Sequence, residues 1–92
     1  MIEIWGKPMC PSCTKAKQLC ESRGYQFVYK QLGTDFQRED VFKEFPTART
    51  FPQIKVYNHA VGGYEQLLQY IEDTGYNEQE IAQDNYVSKQ TQ

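Results

Sequence analysis

Apolar and polar positions alternate along the chain in a way that predicts strand, helix, strand in its first third. Residues 1–5 form a short apolar run typical of a buried strand, and positions 25–29 alternate with the period of a second strand. Between them, apolar residues recur at helical spacing from Pro11 to about Arg23, and Gly24 is a natural helix end. The connection leaves room for a crossover, so we expect a parallel βαβ unit.

A second helix is predicted in the middle of the chain. Thr34 or Asp35 offers an N-cap, and Pro46 ends the segment. We expect the apolar face of this helix to consist of Phe36, Val41, Phe42 and Phe45, since their spacing matches a packed helix.

The pattern after residue 50 predicts a hairpin and a last helix. Residues 53–57 form a strand, Asn58-His59 a turn, and Ala60-Val61 a brief antiparallel strand. We interpret His59 as a solvated turn residue rather than a catalytic base. Gly62-Gly63 then precede a helix whose apolar face carries Leu67, Leu68 and Ile71.

Composition places the chain among single-domain globular proteins. It has 92 residues, 39% of them hydrophobic, and a net charge of −2, so nothing indicates nucleic acid or an anionic membrane as a partner. No apolar run approaches the length of a membrane span, and the acidic start lacks the features of a signal peptide, so we expect a cytoplasmic protein. We predict a domain over residues 1–75 and a polar appendage over 76–92, with a short helix at 78–83 or a frayed end.

Two cysteines open the first predicted helix. Cys10 should sit just before the first turn, where free N–H groups, the helix dipole and Lys7 lower the pKa of its thiol. Pro11 suits the first helical position, and Cys13 lies about one turn further on. We therefore predict Cys10 as the nucleophile and Cys13 as the resolving thiol of a redox pair.

A CxxC motif is also half of many zinc sites, and a structural zinc site would need two further ligands. Only Cys20 and His59 remain as further ligands, and the sequence has no second CxxC. Cys20 falls on the apolar face of the first helix, so we expect it to be a buried core thiol. An odd number of cysteines with one close pair favours a reducing compartment.

Three segments stand in a fixed order: KPMCPSC at residues 7–13, RTFPQI at 49–54 and VGGYEQL at 61–67. Together they resemble dithiol glutaredoxins of the small bacterial and bacteriophage type, over about residues 1–74. The resemblance implies an α/β fold of the thioredoxin-like type, with βαβ followed by ββα and a four-stranded mixed sheet flanked by helices. It also implies a cis peptide bond between Phe51 and Pro52.

The same resemblance implies an enzyme: a glutathione-dependent thiol–disulfide oxidoreductase that reduces protein disulfides and glutathione mixed disulfides. Glutathione would be a co-substrate, with no tightly bound cofactor and no metal. The family's glutathione-binding positions fall on Lys7, Arg49, Thr50, Phe51, Pro52, Gly63, Tyr64 and Glu65.

Each of these positions has an implied role. Lys7 would meet the glycine carboxylate, the backbone of Phe51 would pair with the cysteine of glutathione, and the last helix N-terminus would hold the γ-glutamyl carboxylate.

The sequence departs from many dithiol members at Ser12, where they have tyrosine. It also has Glu65 and Gln66 where they often have aspartate.

Two alternatives to glutathione dependence stay open at this point. One is a thioredoxin-like redoxin reduced by a thioredoxin reductase. The other is a binder of a [2Fe–2S] cluster held through Cys10 and glutathione, which small Ser12 favours and rigid Pro11 disfavours. Ribonucleotide reductase is a substrate typical of the family, and we expect a monomer.

Overall fold

A mixed four-stranded sheet with helices on both faces forms the protein. The computed structural model describes residues 1–77, and the order of elements is the predicted one, βαβ followed by ββα. The elements are β1 (Ile2–Gly6), α1 (Pro11–Arg23), β2 (Phe27–Gln31), α2 (Arg38–Glu44), β3 (Gln53–Val56), β4 (His59–Gly62) and α3 (Tyr64–Thr74).

The strands lie in the order β2-β1-β3-β4. β1 runs parallel to β2 and antiparallel to β3, and β4 runs antiparallel to β3. At the end of β1, Gly6 pairs with Gln31 on one side and Trp5 pairs with Gln53 on the other. The loop that leaves β1 therefore starts between the end of β2 and the beginning of β3.

Alternation along the central strands divides the core between the two faces of the sheet. Ile4 and Ile54 are fully buried against the face that α1 and α3 cover, where Cys20 and Leu67 also pack. Trp5 points to the opposite face and packs beneath α2, with ring centroids 4.6 Å from Phe36 and 5.5 Å from Phe45. The predicted burial of the first strand is confirmed.

The beginning of α2 differs from the prediction. Its N-cap is Gln37, not Thr34 or Asp35, and the carboxylate of Asp40 accepts the Gln37 N–H at 2.9 Å. Asp35 instead accepts the Gln31 N–H at 2.8 Å and closes the turn after β2. Asp35, which the sequence offered as an N-cap, therefore makes a local side-chain hydrogen bond in the turn instead.

The predicted apolar face of this helix is only partly right. Phe36 lies before the helix and is buried, and Val41 and Phe45 are also buried, but Phe42 is 50% exposed. The helix has seven residues, and positions four apart share its inner side. Val41 and Phe45 therefore fill that side, while Phe42 faces outward.

The hairpin turn lies one residue earlier than expected. Tyr57 and Asn58 form it, with φ of 53° and 67°, as a two-residue turn of the type I′ class requires. His59 is the first residue of β4 and is exposed. The predicted antiparallel pairing of the hairpin is confirmed.

Two aromatic residues lie outside the elements in which the sequence pattern placed them. Tyr25 precedes β2, and Tyr76, which the domain boundary assigned to the appendage, is buried against it with ring centroids 5.2 Å apart. Packing therefore extends at least to residue 76. The predicted helix at 78–83 lies outside the described residues. Within residues 1–77, no helix is long and apolar enough to cross a membrane.

Glu3 interacts with two lysines and with the indole of Trp5 on the α2 face of the sheet. Its carboxylate accepts the Trp5 Nε1–H at 3.0 Å and lies 2.7 Å from Lys30 Nζ. Burial alone would raise the pKa of Glu3, but the hydrogen bond and charge of Lys30, the Trp5 hydrogen bond and the charge of Lys55 together lower it. The folded state therefore favours the ionised carboxylate.

Replacing Glu3 by Gln keeps an acceptor for Trp5 but removes the charge. Because the folded pKa is lowered, the stabilisation is present above the unfolded pKa and is lost as pH falls through the folded pKa. We expect Glu3→Gln to lower the free energy of unfolding by about 0.2–1 kcal/mol near neutral pH, and by less in acid. Urea unfolding at both pH values measures this difference, with Glu21→Gln on α1 as the control. An equal loss at both pH values would contradict it.

Candidate active site

Cys10 is the N-cap of α1, and its side chain serves the helix directly. Its backbone is extended, with φ of −123° and ψ of 99°, and its sulfur accepts the Cys13 N–H at 3.2 Å. The Thr14 N–H donates to the Cys10 carbonyl at 3.1 Å, and Pro11 occupies the first turn. The sulfur therefore lies where backbone N–H groups and the helix dipole favour negative charge.

A disulfide joins Cys10 to Cys13, whose Cα atoms are 5.2 Å apart. Cys13 is fully buried beneath the first turn, whereas 9% of Cys10 is accessible. A thiolate arriving from solvent therefore reaches the sulfur of Cys10 and not that of Cys13. This asymmetry suits the predicted roles of nucleophile and resolving thiol.

The loop before β3, which we call the cis-proline loop, brings Phe51 and Pro52 beside the sulfur of Cys10. The Phe51–Pro52 peptide bond is cis, as the resemblance implied, and Pro52 is fully buried. Cys10 Sγ lies 3.9 Å from the carbonyl oxygen of Phe51. Lys7 Nζ lies 5.9 Å from the centroid of the Phe51 ring. Gln53 Nε2 donates to the Thr50 carbonyl at 2.7 Å and so braces the loop.

The beginning of α3 approaches the cis-proline loop closely. A Cβ added at Gly63 would lie 3.5 Å from the Pro52 carbonyl oxygen, so the two segments approach closely, and Gly62 has a φ of 118° that favours glycine. The Gly63 N–H donates to Gln66 Oε1 at 2.9 Å. Gln66, which the sequence marked only as a departure, therefore caps this helix. Because Tyr64 and Glu65 lie in the first turn of α3, their N–H groups have no acceptor within the helix.

The remaining predicted positions lie at the edge of this arrangement. Arg49 and Thr50 are exposed and line a small recess that also includes Phe51 and residues of α2. The structure thus brings Lys7, Phe51 and Pro52 together around Cys10. It leaves the two residues before Phe51 on the outer side of the loop.

A groove on the other side of Cys10 escaped the sequence analysis. Its volume is about 540 Å³, and we call it the α1/β2 groove; its lining residues are Lys7, Pro8, Met9, Cys10, Pro11, Thr14, Lys17, Tyr29 and Gln31. Lys17 Nζ lies 5.6 Å from the centroid of the Tyr29 ring. The signal was present in the spacing, since Lys17 follows Cys10 by two helical turns.

Cys20 takes no part in the site. It is fully buried in the core between α1 and the sheet, and burial raises the pKa of its thiol to about 11, with a smaller effect of Glu21. The expected core role of Cys20 fits this position. In the described part of the chain, no three His, Cys, Asp or Glu side chains come together as a metal site would require.

Comparison with known proteins adds to this geometry. A protein-family model described as glutaredoxin matches residues 2–61, which is more than half of the chain. The chain belongs to the glutaredoxin family. A probable glutaredoxin of Synechocystis sp. is 37% identical over 67 residues, and Glutaredoxin 3 of Escherichia coli is 34% identical over 67 residues.

These matches differ in how much of each protein they include. Each covers 72% of this glutaredoxin, and they span 62% of the Synechocystis protein and 80% of the E. coli one. The solved structure of reduced E. coli glutaredoxin is 26% identical, with a TM-score of 0.70 over 79% of this chain and 94% of that one. The thioredoxin-like fold is therefore confirmed.

Burial predicts a sharp difference in reactivity among the three thiols. After reduction, we expect iodoacetamide at about pH 8 to modify Cys10 and to leave Cys20 unmodified, because a thiol with a pKa of about 11 is only about one-thousandth thiolate there and is also inaccessible. Peptide mass mapping measures the modified sites. The unfolded protein is the control, in which all three thiols should react, and labelling of native Cys20 as fast as Cys10 would overturn the assignment.

Proposed function

We propose that this glutaredoxin is a glutathione-dependent thiol–disulfide oxidoreductase that reduces protein disulfides and glutathione mixed disulfides. The observation that carries the proposal is the position of the Cys10 sulfur. It caps α1, is the accessible sulfur of the pair, and lies beside the backbone of Phe51 at the cis bond to Pro52. An accessible sulfur at a helix N-terminus, which favours the thiolate once the disulfide is reduced, suits attack on a disulfide bound along the Phe51 backbone.

For a glutathione mixed disulfide, Cys10 suffices. Its thiolate attacks the glutathione sulfur, forms a Cys10–glutathione disulfide and expels the substrate thiolate, which takes up a proton. The thiolate of a second glutathione then attacks the glutathione sulfur of that disulfide. Oxidised glutathione leaves, and the Cys10 thiolate is restored. Overall, one glutathione and the mixed disulfide are converted into the substrate thiol and oxidised glutathione.

For a protein disulfide, Cys13 completes the reaction. The Cys10 thiolate attacks one protein sulfur and expels the other as a thiolate. The Cys13 thiolate then attacks the Cys10 sulfur, forms the Cys10–Cys13 disulfide and releases the reduced protein. A short sulfur path within one helical turn makes this step intramolecular, which favours it over attack by solvent thiols. Glutathione then attacks the accessible Cys10 sulfur, expels the Cys13 thiolate and forms a Cys10–glutathione disulfide. A second glutathione attacks the glutathione sulfur of that disulfide, so that oxidised glutathione leaves and both thiols are restored.

Glutathione would lie across the cis-proline loop and the beginning of α3. Lys7, above the Phe51 ring, would bind the glycine carboxylate, with Arg49 and Thr50 beside it. The backbone of Phe51 would pair with the glutathione cysteine. The first-turn N–H groups of Tyr64 and Glu65 would hold the γ-glutamyl carboxylate, while Gln66 keeps the Gly63 N–H.

The proposal extends to the setting of the reaction. A dithiol that must be reduced again by glutathione fits the cytoplasm, and we propose that the protein acts there as a monomer. Ribonucleotide reductase stays a substrate proposed from the family alone.

The first test follows the oxidation of NADPH by glutathione reductase, with a small glutathione mixed disulfide as substrate. We expect the wild type to be active, Cys10→Ser to fall to the uncatalysed rate, and Cys13→Ser to keep its activity, because attack by Cys10 alone completes this cycle. Loss of activity in Cys13→Ser would contradict the assigned roles. A wild type that thioredoxin reductase reduces and glutathione does not would overturn glutathione dependence.

Lys7 tests the position proposed for glutathione. We expect Lys7→Gln to raise the KM for the same mixed disulfide about 1.4- to fivefold, because it removes one partly exposed ion pair of about 0.2–1 kcal/mol. Steady-state kinetics measure KM and kcat separately. Lys43→Gln, an exposed charge change on α2, is the control and should leave KM unchanged. The same KM in both variants would remove Lys7 from the proposed site.

A further inference from the structure

The α1/β2 groove opens onto Cys10 from the side opposite the cis-proline loop. None of its lining residues comes from that loop or from α3. This follows from the sheet, because Gly6 pairs with Gln31 of β2 on one side and Trp5 pairs with Gln53 of β3 on the other. The reactive sulfur therefore has a surface on either side of it, and the two surfaces share Lys7.

The groove is positively charged, although the whole chain carries a net charge of −2. Lys7 and Lys17 contribute their ammonium groups, and no Asp or Glu is among the described residues that line it. Lys17 lies against the Tyr29 ring, which holds the ammonium group near the groove wall. The carboxylate of Asp35 accepts the N–H of Gln31, which lines the groove, but Asp35 is not among the lining residues.

The remaining lining suits a polypeptide chain. Thr14 and Gln31 are polar, and the Tyr29 ring offers a flat apolar wall. Met9, at the end next to Cys10, is 97% exposed and adopts a φ of 58°, which turns the loop sharply before the cysteine. A volume of about 540 Å³ accommodates a few residues of an extended peptide.

Distances along the elements set which substrate residue meets which lysine. Lys17 follows Cys10 by seven helical residues, which is about 10 Å along the axis of α1. An extended peptide advances about 3.3 Å per residue. A residue two or three positions from a cysteine bonded to Cys10 can therefore reach Lys17.

We propose that the α1/β2 groove binds the segment beside the reactive cysteine of a disulfide-bearing protein substrate. Through Lys7 and Lys17 it favours substrates with Asp or Glu two or three residues from that cysteine. The proposal rests on attack by Cys10 in the proposed function, and it does not depend on glutathione as the reductant. It makes Lys17, which lies outside the surface proposed for glutathione, a specificity-determining residue.

The test uses two peptides with one internal disulfide each, identical except for Glu or Gln two residues from each cysteine. The fully reduced protein is mixed with each peptide, and the rate constant of peptide reduction is measured without glutathione. We expect the wild type to react faster with the Glu peptide, by about 1.4- to fivefold for each lysine. Higher salt should shrink this ratio.

The variants separate specificity from a general effect on the thiol. Lys17→Glu should abolish most of the preference, while Lys15→Glu, the same charge change on α1 but outside the groove, should keep the wild-type ratio. A change in Cys10 reactivity would slow both peptides alike and cancel in the ratio. Equal ratios in the two variants, or no preference in the wild type, would overturn the proposal.

These outcomes are distinct from those of the glutathione assay. A wild type that discriminates between the peptides but is not reduced by glutathione would retain the groove and lose the proposed reductant. A wild type that is active with glutathione but shows no peptide preference would support glutathione as the reductant and overturn the proposed role of the groove.

Discussion

The sulfur of Cys10 acts as the N-terminal cap of α1, and the geometry of the site depends on this one interaction. The Cys13 N–H that it accepts at 3.2 Å would otherwise lack an acceptor within the helix. The same turn of helix brings Cys13 within disulfide distance and hides it from solvent. A thiolate accepts this hydrogen bond better than a neutral thiol does, so the helix end is coupled to the ionisation of its reactive group.

The sheet explains why the surroundings of Cys10 come from distant parts of the chain. β1 is a central strand, and its end is paired with β2 on one side and β3 on the other. The loop from Lys7 to Cys10 therefore meets the cis-proline loop on the β3 side and the α1/β2 groove on the β2 side. Strand order thus sets the two neighbours of the sulfur.

Periodicity and spacing were enough to predict most elements and the dithiol, because burial of Ile4 and Ile54 requires the alternation seen in the sequence. The start of α2 was not predictable, since Thr34 and Asp35 are better N-cap residues by type than Gln37, which caps the helix. Asp35 instead accepts the Gln31 N–H in the turn after β2. The cis bond at Pro52 entered through the family resemblance. The helical spacing of Lys17 from Cys10 was visible in the sequence. The groove was missed because it also needs Tyr29 of β2, and neither helical nor strand periodicity reveals a contact between two elements.

The departure at Ser12 acquires a physical meaning in this arrangement. The family resemblance implied a tyrosine within the CxxC turn, whereas here Phe51 on one side of Cys10 and Tyr29 on the other supply aromatic rings. Each ring lies beneath a lysine, Lys7 or Lys17, so that each surface pairs an apolar wall with a cation. Because these pairs stand on different elements, a change in one can alter substrate preference without altering the cap that activates Cys10.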